Sequence, residues 1–132
     1  MKRNSTQKGV TTAVFRRLAL ALPQTIEAPH FEATSFRVNK KIFATLGEAA
    51  GRAVVKLTRE QQEMMSSAEP KVFAAVPSWG KYGWTYLHLA HADLDIVRSA
   101  LTTSWRNVAP KKLVAETEGG KVSQGAARSK VL

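Results

Sequence analysis

The sequence predicts an α+β fold, a two-layer sandwich in which helices pack on one face of an antiparallel sheet of about four strands. Three segments place apolar residues at the three- and four-residue spacing of a helix, and four shorter segments alternate polar and apolar residues as strands do. The connections between the first three strands are short, which favours antiparallel neighbours. Each predicted helix has a single apolar stripe, so we expect only one face of the sheet to be covered.

The helices are placed by their apolar stripes and by their capping residues. The first is expected over residues 12–22, directly before a proline. The second follows Thr58, which stands at capping-box spacing from Gln61, so that the hydroxyl and the amide can each satisfy a free backbone N–H. The third begins after Asp93, a favourable N-cap, and its stripe continues until Pro110.

The strands are placed by alternation and by turn residues. Residues 35–46 alternate on both sides of Asn39 and Lys40, which predicts a β-hairpin with its turn there, because asparagine tolerates a positive φ. Residues 52–57 and 84–89 alternate in the same way. The predicted order is therefore one helix, three strands, a helix, a strand and a final helix.

The alternation divides the strand residues between two faces. The face against the helices is expected to hold Phe36, Val38, Val55, Leu57, Leu87 and Leu89. The opposite face is expected to hold Arg37, Arg52, Lys56, Trp84, Tyr86 and His88. This second set is basic and aromatic and contains no carboxylate. It is suited to binding phosphates and stacking unpaired bases, although such residues are also common on an ordinary half-solvated sheet face.

The positive charge is spread along the chain, whose formal net charge is +10. We divide the sequence into a basic N-terminal arm at residues 1–8, a domain at 9–110 and a flexible basic tail at 111–132, which is rich in glycine and serine. Basic ends favour a polyanionic partner, and they also occur simply as solubilising segments.

Composition excludes several classes of protein. There is no cysteine, which rules out disulfides and zinc sites built from thiolates. No apolar run approaches the roughly 18 residues of a membrane span, and the apolar residues 18–22 are too few for an export signal. We therefore expect a cytoplasmic protein with no membrane partner.

No catalytic or metal constellation is recognisable. His88 and His91 are three residues apart, which on a strand places them on opposite faces, and His30 is expected to be a buried, hydrogen-bonded residue that braces a loop. The segment 80–83 has a lysine between glycines but lacks the rest of a phosphate-binding loop. We predict a protein that is not an enzyme and that needs no cofactor or metal.

Several segments taken in order resemble the MmcQ/YjbR-like family of small bacterial proteins. The resemblance is carried by Leu20–Pro23, Pro29–Phe31, Phe36–Val38, Lys41–Ala44, Val55–Leu57, Pro77–Trp84 and Ser104–Lys111. It covers about residues 10–112. It implies a fold similar to frataxin (CyaY-like), described as a double-wing DNA-binding arrangement, and it implies no catalytic residues.

Three hypotheses follow. The first is a DNA-binding protein with little sequence preference, whose contacts would be Arg37, Lys40, Lys41, Arg52, Lys56, Lys81, Trp79 and Trp84. The second is an interaction module whose open sheet face binds an acidic protein. The third is a small-molecule pocket at His30, Trp79 and Trp84, closed by the loop that carries both tryptophans. The sequence predicts no particular oligomeric state.

Overall fold

The computed structural model describes residues 9–117, and it confirms the predicted α+β fold. The predicted arm at residues 1–8 lies outside the described residues. The elements in chain order are α1 (Thr12–Leu20), β1 (Ile26–His30), β2 (Ala33–Val38), β3 (Lys41–Gly47), β4 (Arg52–Lys56), α2 (Arg59–Ala68), β5 (Phe73–Ala75), β6 (Trp84–His88) and α3 (Leu94–Val108). All neighbouring strands are antiparallel, and the described sheet has the order β1-β2-β3-β4-β6-β5.

The sheet has two more strands than the alternation predicted, and both lie at its edges. β1 contains Pro29, which lacks an N–H and is tolerated where one side of the strand is unpaired. β5 is only three residues long, too short to show a period in the sequence. Its pairing with β6 places it at the opposite edge of the sheet.

The helix starts follow the predicted caps. The Thr58 hydroxyl accepts from the Gln61 backbone N–H at 3.0 Å, and the Gln61 amide oxygen accepts from the Thr58 N–H at 2.9 Å, which completes the capping box. Asp93 caps α3 by accepting from the Ile96 N–H at 2.9 Å. α1 ends at Leu20, two residues before the predicted end.

The helices cover one face of the sheet, as predicted. The six residues assigned to that face are each at most 2% exposed: Phe36, Val38, Val55, Leu57, Leu87 and Leu89. α3 packs across β3 and β4, and Trp105 of this helix is buried while its indole N–H donates to the Pro23 carbonyl oxygen at 3.0 Å. Within residues 9–117, no α-helix packs on the other face of the sheet, which is called the open face below.

The predicted flexible tail is wrong in its first part. Residues 111–117 are helical, and Leu113 and Val114 of this segment pack against the core. Leu113 and Val114 allow the segment to pack on the core as a helix. The high glycine and serine content of residues 111–132 as a whole led to the wrong prediction for these residues. The remainder of the predicted tail, 118–132, lies outside the described residues.

Candidate nucleic-acid interface

The open face is built from register pairs between β4 and β6. Arg52 lies opposite His88, Val54 opposite Tyr86 and Lys56 opposite Trp84, and Thr45 of β3 extends the row of Val54. Their strand neighbours Ala53, Val55, Thr85 and Leu87 are fully buried. The predicted division of β4 and β6 between two faces is therefore confirmed.

The predicted cationic residues form two groups on this sheet rather than one continuous plane. Lys56 is the last residue of β4 and lies beside the start of β3, at the same end of the sheet as Lys41. Trp84, which lies opposite Lys56 on β6, directly follows the loop that carries Lys81. Arg52 begins β4, four residues away from Lys56, which is about 13 Å at the rise of a strand. We call these the tryptophan end, formed by Arg37, Lys40, Lys56, Trp79, Lys81, Tyr82 and Trp84, and the histidine end, formed by Arg52, Tyr86, His88 and His91. Lys41 lies opposite the buried Val38 and so belongs to the helix-covered side, which corrects its predicted place among the open-face cations.

Two cations of the tryptophan end, Lys56 and Lys81, lie beside aromatic rings. The Lys56 Nζ is 5.0 Å from the centroid of the Trp84 ring, and it donates a hydrogen bond to the Tyr82 carbonyl oxygen. The Lys81 Nζ is 5.3 Å from the Tyr82 ring, and the Tyr82 and Trp79 rings are 6.2 Å apart. Lys56 thus has a structural role in holding the loop as well as a charge, and only part of its ammonium group is available to a ligand.

A buried glutamine of α2, Gln62, holds the loop of the tryptophan end through hydrogen bonds, and this role was not predicted from the sequence. The Gln62 side-chain amide donates to the Gly80 and Trp84 carbonyl oxygens at 3.1 and 3.2 Å and to the Thr85 hydroxyl at 3.0 Å. The Thr85 hydroxyl in turn donates to the Gly83 carbonyl oxygen at 2.9 Å. One feature of the sequence indicated that Gln62 is buried: it is three residues before Met65, so both lie on the face of α2 that packs against the core.

Gly83 allows this loop to approach the end of β4. Its φ is +97°, and a Cβ built there would be 1.8 Å from the Leu57 carbonyl oxygen. In return, the Leu57 N–H donates to the Gly83 carbonyl oxygen at 2.9 Å. A side chain at this position would push the loop, and the rings it carries, away from the sheet.

An apolar depression lies between the loop and the open face. Its volume is about 530 Å³, and its lining residues are His30, Phe31, Ile42, Thr45, Val54, Val76, Trp79 and Trp84. The three residues of the predicted pocket, His30, Trp79 and Trp84, are therefore brought together. His30 was expected to be buried and hydrogen-bonded. It is only half-buried, because it ends an edge strand, and its ring packs edge-on against Phe31 at 4.8 Å.

Two carboxylates near the hairpins are paired with Arg16 of α1. Glu27 of β1 accepts from the Nε of Arg16 on α1 at 3.0 Å, and Glu48 lies 3.8 Å from the same guanidinium. On the open face, the Arg37 Nε donates at 2.9 Å to the Ser35 hydroxyl, which donates to the Ala28 carbonyl oxygen. The residues that line the depression include no carboxylate, although the exposed Glu32 follows the lining residue Phe31 in the β1–β2 turn.

The histidine end has a different character. The Arg52 guanidinium carbon lies 4.1 Å from the centroid of the Tyr86 ring, and the Tyr86 and His88 rings are 5.9 Å apart. Burial, and after it the charges of Arg52 and His91, lower the pKa of the His88 imidazole from its usual 6.5. His88 is therefore predominantly neutral at pH 7, and Arg52 supplies the permanent charge at this end.

Two further findings bear on the predicted chemistry. Within residues 9–117, no three side chains of histidine, aspartate or glutamate are grouped so that they could hold a metal ion. In the same part of the chain, no helix has the length and apolar character needed to cross a membrane.

The fold and this face define a small α+β sandwich with a cationic and aromatic open sheet. The family model for YjbR matches residues 20–107, two thirds of the sequence, and the chain belongs to the YjbR family, which confirms the resemblance noted in the sequence. The crystal structure of Deinococcus radiodurans protein DR2400, with a DUF419 domain, has a TM-score of 0.67 and 20% identity. That likeness covers 92% of this chain and 94% of the other, and it shows a shared fold. No curated protein sequence matches the chain.

Proposed function

We propose that this YjbR protein binds DNA with little sequence preference through the open face, chiefly at its tryptophan end. The observation that carries the proposal is the position of Lys56 and Lys81 beside the Trp84 and Tyr82 rings, next to a depression whose lining has no carboxylate. The net charge of +10 acts in the same direction, since it attracts polyanions over a longer range.

The binding mechanism is charge neutralisation. Arg37, Lys40 and Lys81 would contact phosphates at the tryptophan end, with Lys56 contributing what remains of its donors. Arg52 lies about 13 Å along β4, which corresponds to the axial rise of about four base pairs of B-DNA. A DNA strand that follows β4 would therefore reach both groups of cations. Phosphate contacts carry no base identity, so sequence preference is expected to be weak.

The test is the salt dependence of binding, measured by fluorescence anisotropy with DNA of unrelated sequences. Five phosphate contacts predict a slope of log K against log salt of about −4.5 for a duplex and about −3.5 for a single strand. Replacing both Arg37 and Lys56 with alanine should weaken binding to every sequence by a similar factor. A matched control, Arg17→Ala with Lys112→Ala, removes the same charge from exposed positions in the helical part of the protein. Slopes near zero for both DNA forms, or equal losses in the two double variants, contradict the proposal.

An acidic protein is the competing partner for the same face. A pull-down with the tagged protein from lysate separates the two cases, because nuclease treatment removes nucleic acid and leaves proteins intact. Recovery of material only without nuclease favours DNA. Recovery of a defined acidic protein after nuclease treatment, lost on Arg37→Ala with Lys56→Ala, would favour the interaction module.

A further inference from the structure

We infer that the preferred ligand is single-stranded DNA and that the apolar depression holds an unstacked base. This inference rests on the proposed DNA binding and adds to it the form of the DNA. It is carried by the shape of the depression, by the exposure of its rings and by the position of the neighbouring cations.

The depression has the character of a stacking site. Its floor is formed by aliphatic and small side chains on the open face, including Ile42 and Val54, and its walls by rings of the loop and of the β1–β2 turn. Its volume of about 530 Å³ lies within the range of about 300–1,000 Å³ that small-molecule sites occupy. Only His30 and Thr45 bring side-chain hydrogen-bonding groups in addition to the two indoles. A lining so poor in polar groups suits a planar base and distinguishes little between one base and another.

Two of the rings are far more exposed than their size would lead one to expect. Trp79 is 60% exposed and Phe31 is 94% exposed, and Tyr82 is also exposed beside Trp79. Large apolar groups grouped on a surface commonly mark a binding site. A base stacked on Trp79 would cover part of this area.

The cations are placed where the phosphates of such a strand would lie. Lys56 and Lys81 are each within 5.3 Å of a ring that belongs to the tryptophan end. A nucleotide whose base stacks at this end has its two phosphates on either side of the base, within reach of these ammonium groups. The loop is already held by Gln62 and by the Lys56 hydrogen bond, so little ordering is needed on binding.

Duplex DNA cannot use the depression without being opened. Its bases are paired and stacked, so the protein would meet the phosphates and the groove edges while the rings remained uncovered. Opening a duplex costs a few kcal/mol for each extruded base. The cations alone would bind a duplex, and the rings add affinity only for a strand whose bases are free.

The experiment compares a 12-nucleotide single strand of thymidines with a hairpin duplex of the same phosphate number at one salt concentration. Stacking of one base on an aromatic side chain contributes about 1–3 kcal/mol, so Trp79→Ala should weaken binding of the single strand by about 5- to 150-fold. The same variant should change binding of the hairpin less than twofold, and Trp79→Phe should restore most of the lost affinity. Met64→Ala, which removes another exposed large apolar side chain from α2, serves as the control and should leave both affinities unchanged.

Quenching of tryptophan fluorescence by the single strand is the second readout, and it should be reduced in Trp79→Phe. If the hairpin binds with a steep salt slope but Trp79→Ala changes neither affinity and no quenching is seen, the inference is overturned and the proposed function stands. Equal losses of both DNA forms on Trp79→Ala also overturn it. If neither form binds at low salt, the proposed function fails and the inference fails with it.

Discussion

The side-chain amide of Gln62 on α2 donates to the carbonyl oxygen of Gly80, 3.1 Å away, and so joins the helical layer to the loop of the tryptophan end. The two N–H groups of this amide are shared among three acceptor groups. The other two acceptors are the Trp84 carbonyl oxygen and the Thr85 hydroxyl. Gln62 is only 4% exposed, so water has little access to replace these bonds. Together with the Lys56 bond to Tyr82 and the Leu57 bond to Gly83, this side chain sets the position of the loop and the shape of the depression.

We expect Gln62→Leu to lower the free energy of unfolding by about 1–3 kcal/mol. The apolar replacement fits the helix but leaves buried carbonyl and hydroxyl groups without a donor. Urea unfolding followed by circular dichroism measures the change. The adjacent Glu63→Ala is the control, because Glu63 is exposed and should shift stability by less than about 0.5 kcal/mol. A Gln62→Leu protein as stable as the control would show that the three contacts contribute nothing.

Gly83 and Gly51 form a matched pair for a second prediction. Both have a positive φ, but a Cβ at Gly83 would collide with the Leu57 carbonyl oxygen, whereas at Gly51 no atom lies within 4 Å. Gly51→Ala should therefore cost only the backbone strain of about 1–2 kcal/mol. Gly83→Ala should cost more than about 4 kcal/mol or prevent folding, because backbone atoms must move. Thermal unfolding compares them, and similar melting temperatures would be the contrary result.

The contrast between local and distant contacts explains how much could be predicted from the sequence. The capping box at Thr58 and the N-cap at Asp93 depend on residues three positions apart, and both were found correctly. The turn at Asn39, with φ of 52°, was found for the same reason. The partners of Gln62 are 18 to 23 residues away, so no local pattern could reveal its role.

The sequence predicted which residues of β4 and β6 lie on the open face, but not how far apart they are or what lies next to them. The alternation of β4 and β6 identified the outward residues correctly, because a strand has a strict period of two. It could not show that Arg52 lies about 13 Å from Lys56 along that strand. It also missed β1, whose Pro29 interrupts a strand pattern, and with it the turn that brings Phe31 to the depression.

His88 supports a prediction about pH. Its pKa in the folded protein is lowered, mainly by burial and next by Arg52, so between that pKa and 6.5 the unfolded chain binds more protons than the folded one. Stability should therefore fall as pH decreases below about 6.5 and level off below the folded pKa. His88→Gln should lack this part of the pH dependence. Denaturant unfolding from pH 7.5 to 5 compares the two proteins, and parallel curves would contradict the assignment.

An NMR titration of the same histidine separates the two main causes. The His88 ring protons should report a pKa below 6.5, and Arg52→Gln should raise it without restoring 6.5, since burial remains. Arg98→Gln is a suitable control, because Arg98 is on α3 beside Asp95. A pKa at or above 6.5 in the unaltered protein would refute the prediction.

The distance between the two ends of the open face leads to a final prediction. If one DNA strand follows β4 from Lys56 to Arg52, then Arg52→Ala should reduce the magnitude of the salt slope by about 0.7 for a 12-nucleotide single strand and by about 0.9 for a duplex. The stacking readout should persist, because Trp79 lies at the other end and its quenching does not depend on Arg52. Lys81→Ala should reduce the slope by the same amount, whereas Arg17→Ala should not. A slope unchanged by Arg52→Ala, together with a reduced slope for Lys81→Ala, would confine the bound DNA to the tryptophan end.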